Sequence, residues 1–354
     1  MPLLVTVRNG QFQNFLTLVS WISHHRHSNC VKLDEKWDNI INATDPAGMT
    51  PLMYAALHNN LDCLRELISA GAKMDLKNYF GKTALMIVVS SNNNKCVRLL
   101  LVYGANCNPV DSKGRTALFY AVKSTSTETE SDSILGADNP LQYSTCIQYF
   151  IENRVMINTI DTKGNTPLHV AAKTGCAEGV TILDKKAAKH ITNKEGRTPL
   201  MLAAINNRVR CLQVLTEAKV DTNQTDCLGM TALILATQSN HINSARVLLL
   251  VRADDDIKDL SGDTALIHAA RPGHSQCVEL LLRNGALPDI TNSKGETAMS
   301  VAISYNHIAC LQTLVEYGVD WNNKLVEEIL SANPNGMRPM FSEQIVTPDF
   351  GYLI

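Results

Sequence analysis

Ten cysteines and ten histidines are the side chains of this sequence best suited to chemistry. Their spacing decides what they can do. His24-His25-Arg26-His27-Ser28-Asn29-Cys30 gathers three imidazoles and a thiol in one short stretch. A tetrahedral metal site needs a scaffold that holds four ligands at once. This stretch has no regular pattern around it, so a solvated loop is expected and no metal is assigned. Cys-x-x-Cys pairs are absent. Six other cysteines (Cys63, Cys96, Cys146, Cys211, Cys277, Cys310) fall at one phase of a recurring pattern, which holds Gly179 and Ser244 at its two other occurrences. Small residues at one phase of a packed helix mark a packing constraint. Stacked helices would hold such thiols about 10 Å apart, beyond disulfide reach. Buried thiols of this kind are inert. Neither a Gly-x-Ser-x-Gly elbow nor a phosphate loop is present, and the aspartates recur at turn positions. The reading is a protein without catalytic residues, cofactor or metal.

The recurring pattern is a Gly-x-Thr-Pro/Ala-Leu/Met phrase. Its glycines are Gly48, Gly81, Gly114, Gly164, Gly196, Gly229, Gly262 and Gly295, spaced by 33 residues with one gap of 32 and one of 50. Asp or Asn stands three residues before each: Asp45, Asn78, Asp111, Asp161, Asn193, Asp226, Asp259, Asn292. Asx followed by a tight-turn glycine predicts a β-turn. The Thr suits a helix N-cap, and Pro51, Pro167 and Pro199 then occupy the first helical position, where a missing N–H costs nothing. Eleven residues after the glycine comes Asn59, Asn92, Gly175, Asn207, Asn240, Gly273 or Asn306, residue types that tolerate a left-handed turn. A second helix follows with apolar spacing i, i+3, i+4, as in Leu64, Leu67 and Ile68. In four repeats it ends at Gly71, Gly104, Gly285 or Gly318, suited to a left-handed C-cap.

Turn, helix, turn, helix in 33 residues, with Thr-Pro-Leu-His-Val-Ala-Ala at Thr166 to Ala172, closely resembles the ankyrin repeat. The resemblance spans about residues 1–324. It implies an all-α repeat solenoid: helix–turn–helix units stacked side by side, with β-turn fingers that form one concave face together with the inner helices. Residues 1–44 read as an N-terminal capping repeat with its own inserted loop, since Pro2, Leu3 and Gly10 fall in phase with Pro51, Leu52 and Asn59. Residues 45–324 read as eight repeats, and residues 325–354 as a short helix and an irregular tail. The family's histidine is kept only at His169. Met53, Met86, Phe119, Met201, Ile234, Ile267 or Ser300 replaces it elsewhere, which predicts more burial and fewer polar ties there. The family also implies a Leu…Asn pattern associated with asparagine hydroxylation, matched by Asn108, Asn223 and Asn322 with a leucine eight residues earlier.

The long gap holds a polar, acidic insertion at about residues 124–141, in which Thr125, Thr127 and Thr129 each have an acid three positions on. A surface loop is expected, with phosphorylation of those threonines as the sharper reading. The ending Tyr352-Leu353-Ile354 matches the loose pattern that PDZ domains capture.

Binding should fall to outward residues of fingers and inner-helix ends. These are Lys82, Lys113, Arg115, Lys123, Lys163, Lys173, Lys194 and Arg197, with an apolar pair at Tyr79 and Phe80 and an apolar group at Leu228, Met230 and Leu260. The sign of the charge reverses at Asp263 and Glu296. An acidic partner with an apolar anchor would fit.

The net charge of −2 gives no general pull toward nucleic acid or membranes, and no apolar stretch could span a bilayer. No secretory signal is visible, so a reducing compartment is expected, cytoplasm or nucleus. The leading functional reading is a monomeric protein-binding scaffold or adaptor. A substrate-recognition subunit of a ubiquitin ligase and an ankyrin-type inhibitor of an enzyme or transcription factor are the alternatives. Stability should be lowest around residues 161–225. Arg154, Ala187, Lys219 and Arg252 replace the C-cap glycine in the central repeats, and Asp184 and Thr216 stand where the second helix elsewhere holds Leu or Ile.

Overall fold

The structure is a computed structural model that describes residues 38–91, 93–124 and 141–319, with backbone only at 124 and 141–145. It forms two compact units that meet in sequence at Lys194 and Glu195. The His24–Cys30 cluster, the capping repeat before residue 38, Asn92, and the tail beyond 319 lie outside the described residues, as does nearly all of the acidic insertion.

The first unit carries four helix pairs: α1 (Pro51–Leu57) with α2 (Leu61–Ser69), α3 (Ala84–Ser90) with α4 (Asn94–Val102), α5 (Ala117–Ser124) with α6 (Leu141–Glu152), and α7 (Pro167–Thr174) with α8 (Ala177–Asp184). The second carries α9 (Pro199–Ile205) with α10 (Val209–Glu217), α11 (Ala232–Gln238) with α12 (Ile242–Leu250), α13 (Ala265–Ala270) with α14 (Ser275–Asn284), and α15 (Ala298–Ser304) with α16 (Ile308–Glu316). No strand occurs among the described residues. Helices this short are marginal alone. Within each unit, first helices pack on first helices and second helices on second helices, in two layers. Their shared apolar faces, such as Leu85, Val88, Leu118 and Leu168, are almost wholly buried. The histidine replacements Met53, Met86, Phe119, Met201, Ile234, Ile267 and Ser300 are buried too.

The caps form as the phrase predicts. Thr50, Thr83, Thr166, Thr198, Thr231, Thr264 and Thr297 each accept the N–H three residues on. At Thr116 the carbonyl takes that N–H instead, from Phe119 at 3.1 Å. Asn59, Asn207, Asn240 and Asn306 adopt left-handed backbone with φ of 53–56°.

Each finger is closed by its acidic or amide residue. Asp111 Oδ1 accepts N–H from Lys113 at 2.8 Å and Arg115 at 2.9 Å, and Asp226 Oδ1 does the same for Leu228 and Met230. One backbone hydrogen bond then joins successive fingers, as from Ser112 N to Phe80 O at 3.0 Å or Leu260 N to Leu228 O at 3.0 Å. This bond requires close approach. A Cβ on Gly81 (φ +72°) would lie 2.8 Å from Ser112 N.

The weak-middle expectation needs revision. Arg154, Lys219 and Arg252 do adopt left-handed backbone, with φ of 55–60°. Ala187 does not. Its segment is a residue shorter, and Ala187 N continues helically to Leu183 O at 2.8 Å. Asp184 is ion-paired with Lys189 at 2.9 Å, and the Thr216 hydroxyl bonds back to Leu212 O at 2.9 Å. Only the left-handed side chains remain as a source of weakness.

Two pairs of variants test this account. Gly104 has φ +88° with open space where a Cβ would go, so Gly104→Ala should cost about 1–2 kcal/mol in urea unfolding. Gly81→Ala should cost at least about 1 kcal/mol more, because the next finger must shift; equal losses would refute the close-approach argument. Lys219→Gly should stabilise by up to about 1 kcal/mol, whereas Ala187→Gly should not.

Candidate functional site

In unit 1 the fingers and the ends of the first helices share one face. In unit 1 the face carries Tyr79 and Phe80 at one tip, both well exposed, with Lys113 and Lys163 exposed at the next two. Lys194 is exposed at its last tip, and Lys123 and Lys173 are exposed at the ends of α5 and α7. Lys82 is half-buried at a finger base. In unit 2, Arg197 is half-buried, while Leu228 and Leu260 project from neighbouring tips.

Met230 and Asp263 do not join this face. Met230 is 5% exposed and Asp263 equally buried. Both stand one residue after the phrase glycine, where the chain has left the tip and turns into the core. Asp263 is held by Asn292 Nδ2 at 2.7 Å and Arg271 at 2.8 Å.

Arg115 and Arg197 occupy that same phase and are committed to the framework. Arg115 grips Asp111 Oδ2 through Nε at 3.0 Å and a terminal nitrogen at 2.8 Å, and Tyr120 donates to the same oxygen at 2.6 Å. Burial works to raise the Asp111 pKa, but the hydrogen bonds from Tyr120, Arg115 and Lys113 outweigh it and hold the carboxyl below its ordinary value. Burial, and then the Asp111 bond, push the Tyr120 hydroxyl far up. Arg197 reaches Asp226 at 3.3 Å and Glu195 at 2.8 Å.

A cleft of about 440 Å³ opens on this face of unit 1. Phe80, Lys82, Lys113 and Arg115 line it from two fingers; Leu57, Ile87, Ser90 and Ser91 line it from the ends of α1 and α3. It thus gathers four of the residues expected from the sequence. Lys82 Nζ sits 4.8 Å from the centre of the Tyr120 ring, a favourable cation–π distance. A second cleft, on the second-helix side of unit 2, contains none of the expected residues.

A sequence model described as "Ankyrin repeats (3 copies)" matches residues 3–78, 52–130, 182–259 and 247–324, and one described as "Ankyrin repeat" matches residues 163–194. The chain belongs to the ankyrin-repeat family. Its hydroxylation-pattern asparagines have a structural task in this array. Asn108 Oδ1 accepts Met156 N at 2.8 Å, and Asn223 Oδ1 accepts Asp254 N at 3.0 Å. Asn42, Asp75, Asn158 and Asp256 form the same inter-repeat tie. Thr125, Thr127, Thr129 and Asn322 lie outside the described residues.

Several polar contacts go beyond what the sequence suggests. Tyr54 donates to Asp45 at 2.6 Å, Tyr120 to Asp111, and His268 pairs with Asp259 at 2.9 Å. Their shared spacing of nine residues is a readable signal. His241, His274 and His307 each reach a carbonyl of the preceding ankyrin repeat, at Ala204, Gln238 and Arg271. Asp259, Asp263 and His268 lie close enough to share an ion, but Arg271 and Asn292 already donate to Asp263.

The six in-phase cysteines are buried, and all nine described cysteines are free thiols. Burial pushes Cys63 up to about 12 and Cys96, Cys146, Cys277 and Cys310 to about 11, from an ordinary 9.0. Cys277 and Ser244 also donate to the left-handed turn residues Asn240 and Asn207 of the preceding repeat, at 3.5 and 2.8 Å. Cys227, at a tip, is exposed.

Native protein should therefore alkylate first at Cys227 among these nine, as mass spectrometry would show; early labelling of Cys96 or Cys277 would contradict the packing. A thiol whose pKa rises on folding is protonated in both states below about pH 9; between about pH 9 and 11 the unfolded chain alone ionises, and above that both do. Stability should fall between about pH 9 and 11, by at most about 1.4 kcal/mol per pH unit per thiol. Cys277→Ala should reduce that slope.

Proposed function

We propose that this chain is a non-enzymatic scaffold or adaptor that holds partner proteins on its finger and inner-helix face. The observation that carries this reading is the unit 1 cleft. There the framework is self-sufficient and the remaining side chains are surplus to it. Asp111, Arg115 and Tyr120 satisfy one another below, while Phe80 projects at 63% exposure and Lys113 stands at a tip. A large exposed aromatic beside cations is the composition of a binding hot spot, and a folded monomer gains nothing by exposing it. Ankyrin repeats serve as protein-interaction modules, which supports the same reading. The free thiols favour a reducing compartment.

The geometry decides which variants test this. Arg115→Glu or Arg197→Glu would set a second carboxylate against Asp111 or Asp226 and unsettle the fold. Lys113→Glu with Lys163→Glu alters two exposed tips instead. Proximity labelling with the intact chain should lose its main partner in that double variant, with helical content unchanged. An unchanged labelled set would place binding elsewhere. Ligase subunits dominating the set would favour the ubiquitin-ligase alternative, and a single enzyme or transcription factor the inhibitor alternative.

A further inference from the structure

The chemistry of the unit 1 cleft narrows the kind of partner it fits. We propose that it takes an acidic peptide segment of a partner protein, with an anionic side chain between Lys82 and Lys113 and a large apolar neighbour against Phe80, Leu57 and Ile87. This rests on the interaction reading above.

The charge on this wall is unbalanced. Three cations line the cleft and Asp111 is the one carboxylate among its lining residues. Both Asp111 oxygens are used: Oδ1 by the backbone N–H groups of Lys113 and Arg115, Oδ2 by Arg115 and Tyr120. Asp111 therefore neutralises Arg115 and leaves the charge of the two lysines uncompensated within the cleft. Lys82 feels this directly. Its partial burial and then the neighbouring Arg115 lower its pKa, with Lys113 and Lys123 acting in the same sense and only Asp111 opposing. An incoming anion would relieve that repulsion, and a charge-assisted bond to an ammonium is among the stronger polar contacts.

The cleft also offers apolar surface. Leu57 and Phe80 are both exposed, and Ile87 lines the cleft with them. Ser90 and Ser91 donate their hydroxyl protons to Met86 O and Ile87 O, at 2.8 and 3.2 Å, so their outward lone pairs can only accept. They suit a backbone N–H of an extended segment. An open cleft of about 440 Å³ holds a few side chains, in keeping with a peptide rather than a folded domain. A nucleic acid strand would want a basic groove with a series of aromatic side chains for successive bases, and Phe80 is the one aromatic lining this cleft.

Random dodecapeptides displayed on phage, panned against the full chain, supply the test. Selected peptides should carry Asp or Glu beside an aromatic or large aliphatic residue. Lys82→Gln with Lys113→Gln should weaken the best of them at least about tenfold, with Lys82→Arg restoring part of the loss. Phe80→Ser should weaken them similarly, and added salt should weaken them steadily. Peptides that need Phe80 but show no acidic enrichment and ignore the lysine changes would overturn the anion assignment while leaving the interaction role intact. A library yielding no peptide dependent on Phe80 or the lysines would overturn both. So would preferential binding of a single-stranded oligonucleotide at these lysines.

Discussion

The whole array depends on one small hydrogen-bonded ring. In the fingers of Asp45, Asn78, Asp111, Asp161, Asp226, Asp259 and Asn292 a side-chain oxygen accepts two backbone N–H groups, and a glycine with positive φ completes the turn. The ring matters beyond its own residues because it fixes where the next finger can sit. A bare Cα allows the following backbone to come within hydrogen-bonding distance of the preceding carbonyl. That single bond sets the register of finger on finger, and so of helix pair on helix pair within a unit. Short helices have little stability of their own. They become a core only when this register brings their apolar faces together.

The same arrangement explains why binding can be written onto the array without disturbing it. Turn closure uses main-chain donors and one side chain at a fixed place in the turn, so the side chains of the two tip residues are not needed to close it. They are Tyr79 and Phe80 in one finger, Cys227 and Leu228 in another, and Lys163 stands at a third. Residues one step past the glycine behave differently. Arg115, Arg197, Met230 and Asp263 all turn inward, and the charged ones take part in ion pairs at the finger bases. Tip and base are close neighbours in sequence with mostly separate tasks; Lys82 at its finger base holds its ammonium over the Tyr120 ring and also lines the cleft.

That distinction also marks the limit of what can be read from the sequence. The repeat period, the threonine caps and the left-handed asparagines at Asn59, Asn207, Asn240 and Asn306 are legible because each follows from local backbone chemistry. The exposed tips follow from phase alone. Met230 and Asp263 depart from expectation because phase says which residue is near a turn, not which side of the turn faces the core. Ala187 departs because, in a segment one residue shorter, its N–H bonds back to Leu183 O where a reversal is expected. The histidine ties at His241, His274 and His307 are not legible, because their acceptors lie in another repeat, some 36 residues away in sequence. Contacts made across repeats leave only a faint trace in any one of them.

The central claim is that turn closure holds the fold while tip side chains hold the partner. A saturation scan of residues 78–82 and 111–115, read in parallel for folded protein by protease resistance and for partner capture, tests it most directly. The account expects substitutions at Asn78, Gly81, Asp111 and Gly114 to lose both readouts together, and those at Phe80 and Lys113 to lose capture alone. Loss of protease resistance at Phe80 and Lys113 equal to that at Gly81, or capture indifferent to every tip substitution, would contradict it.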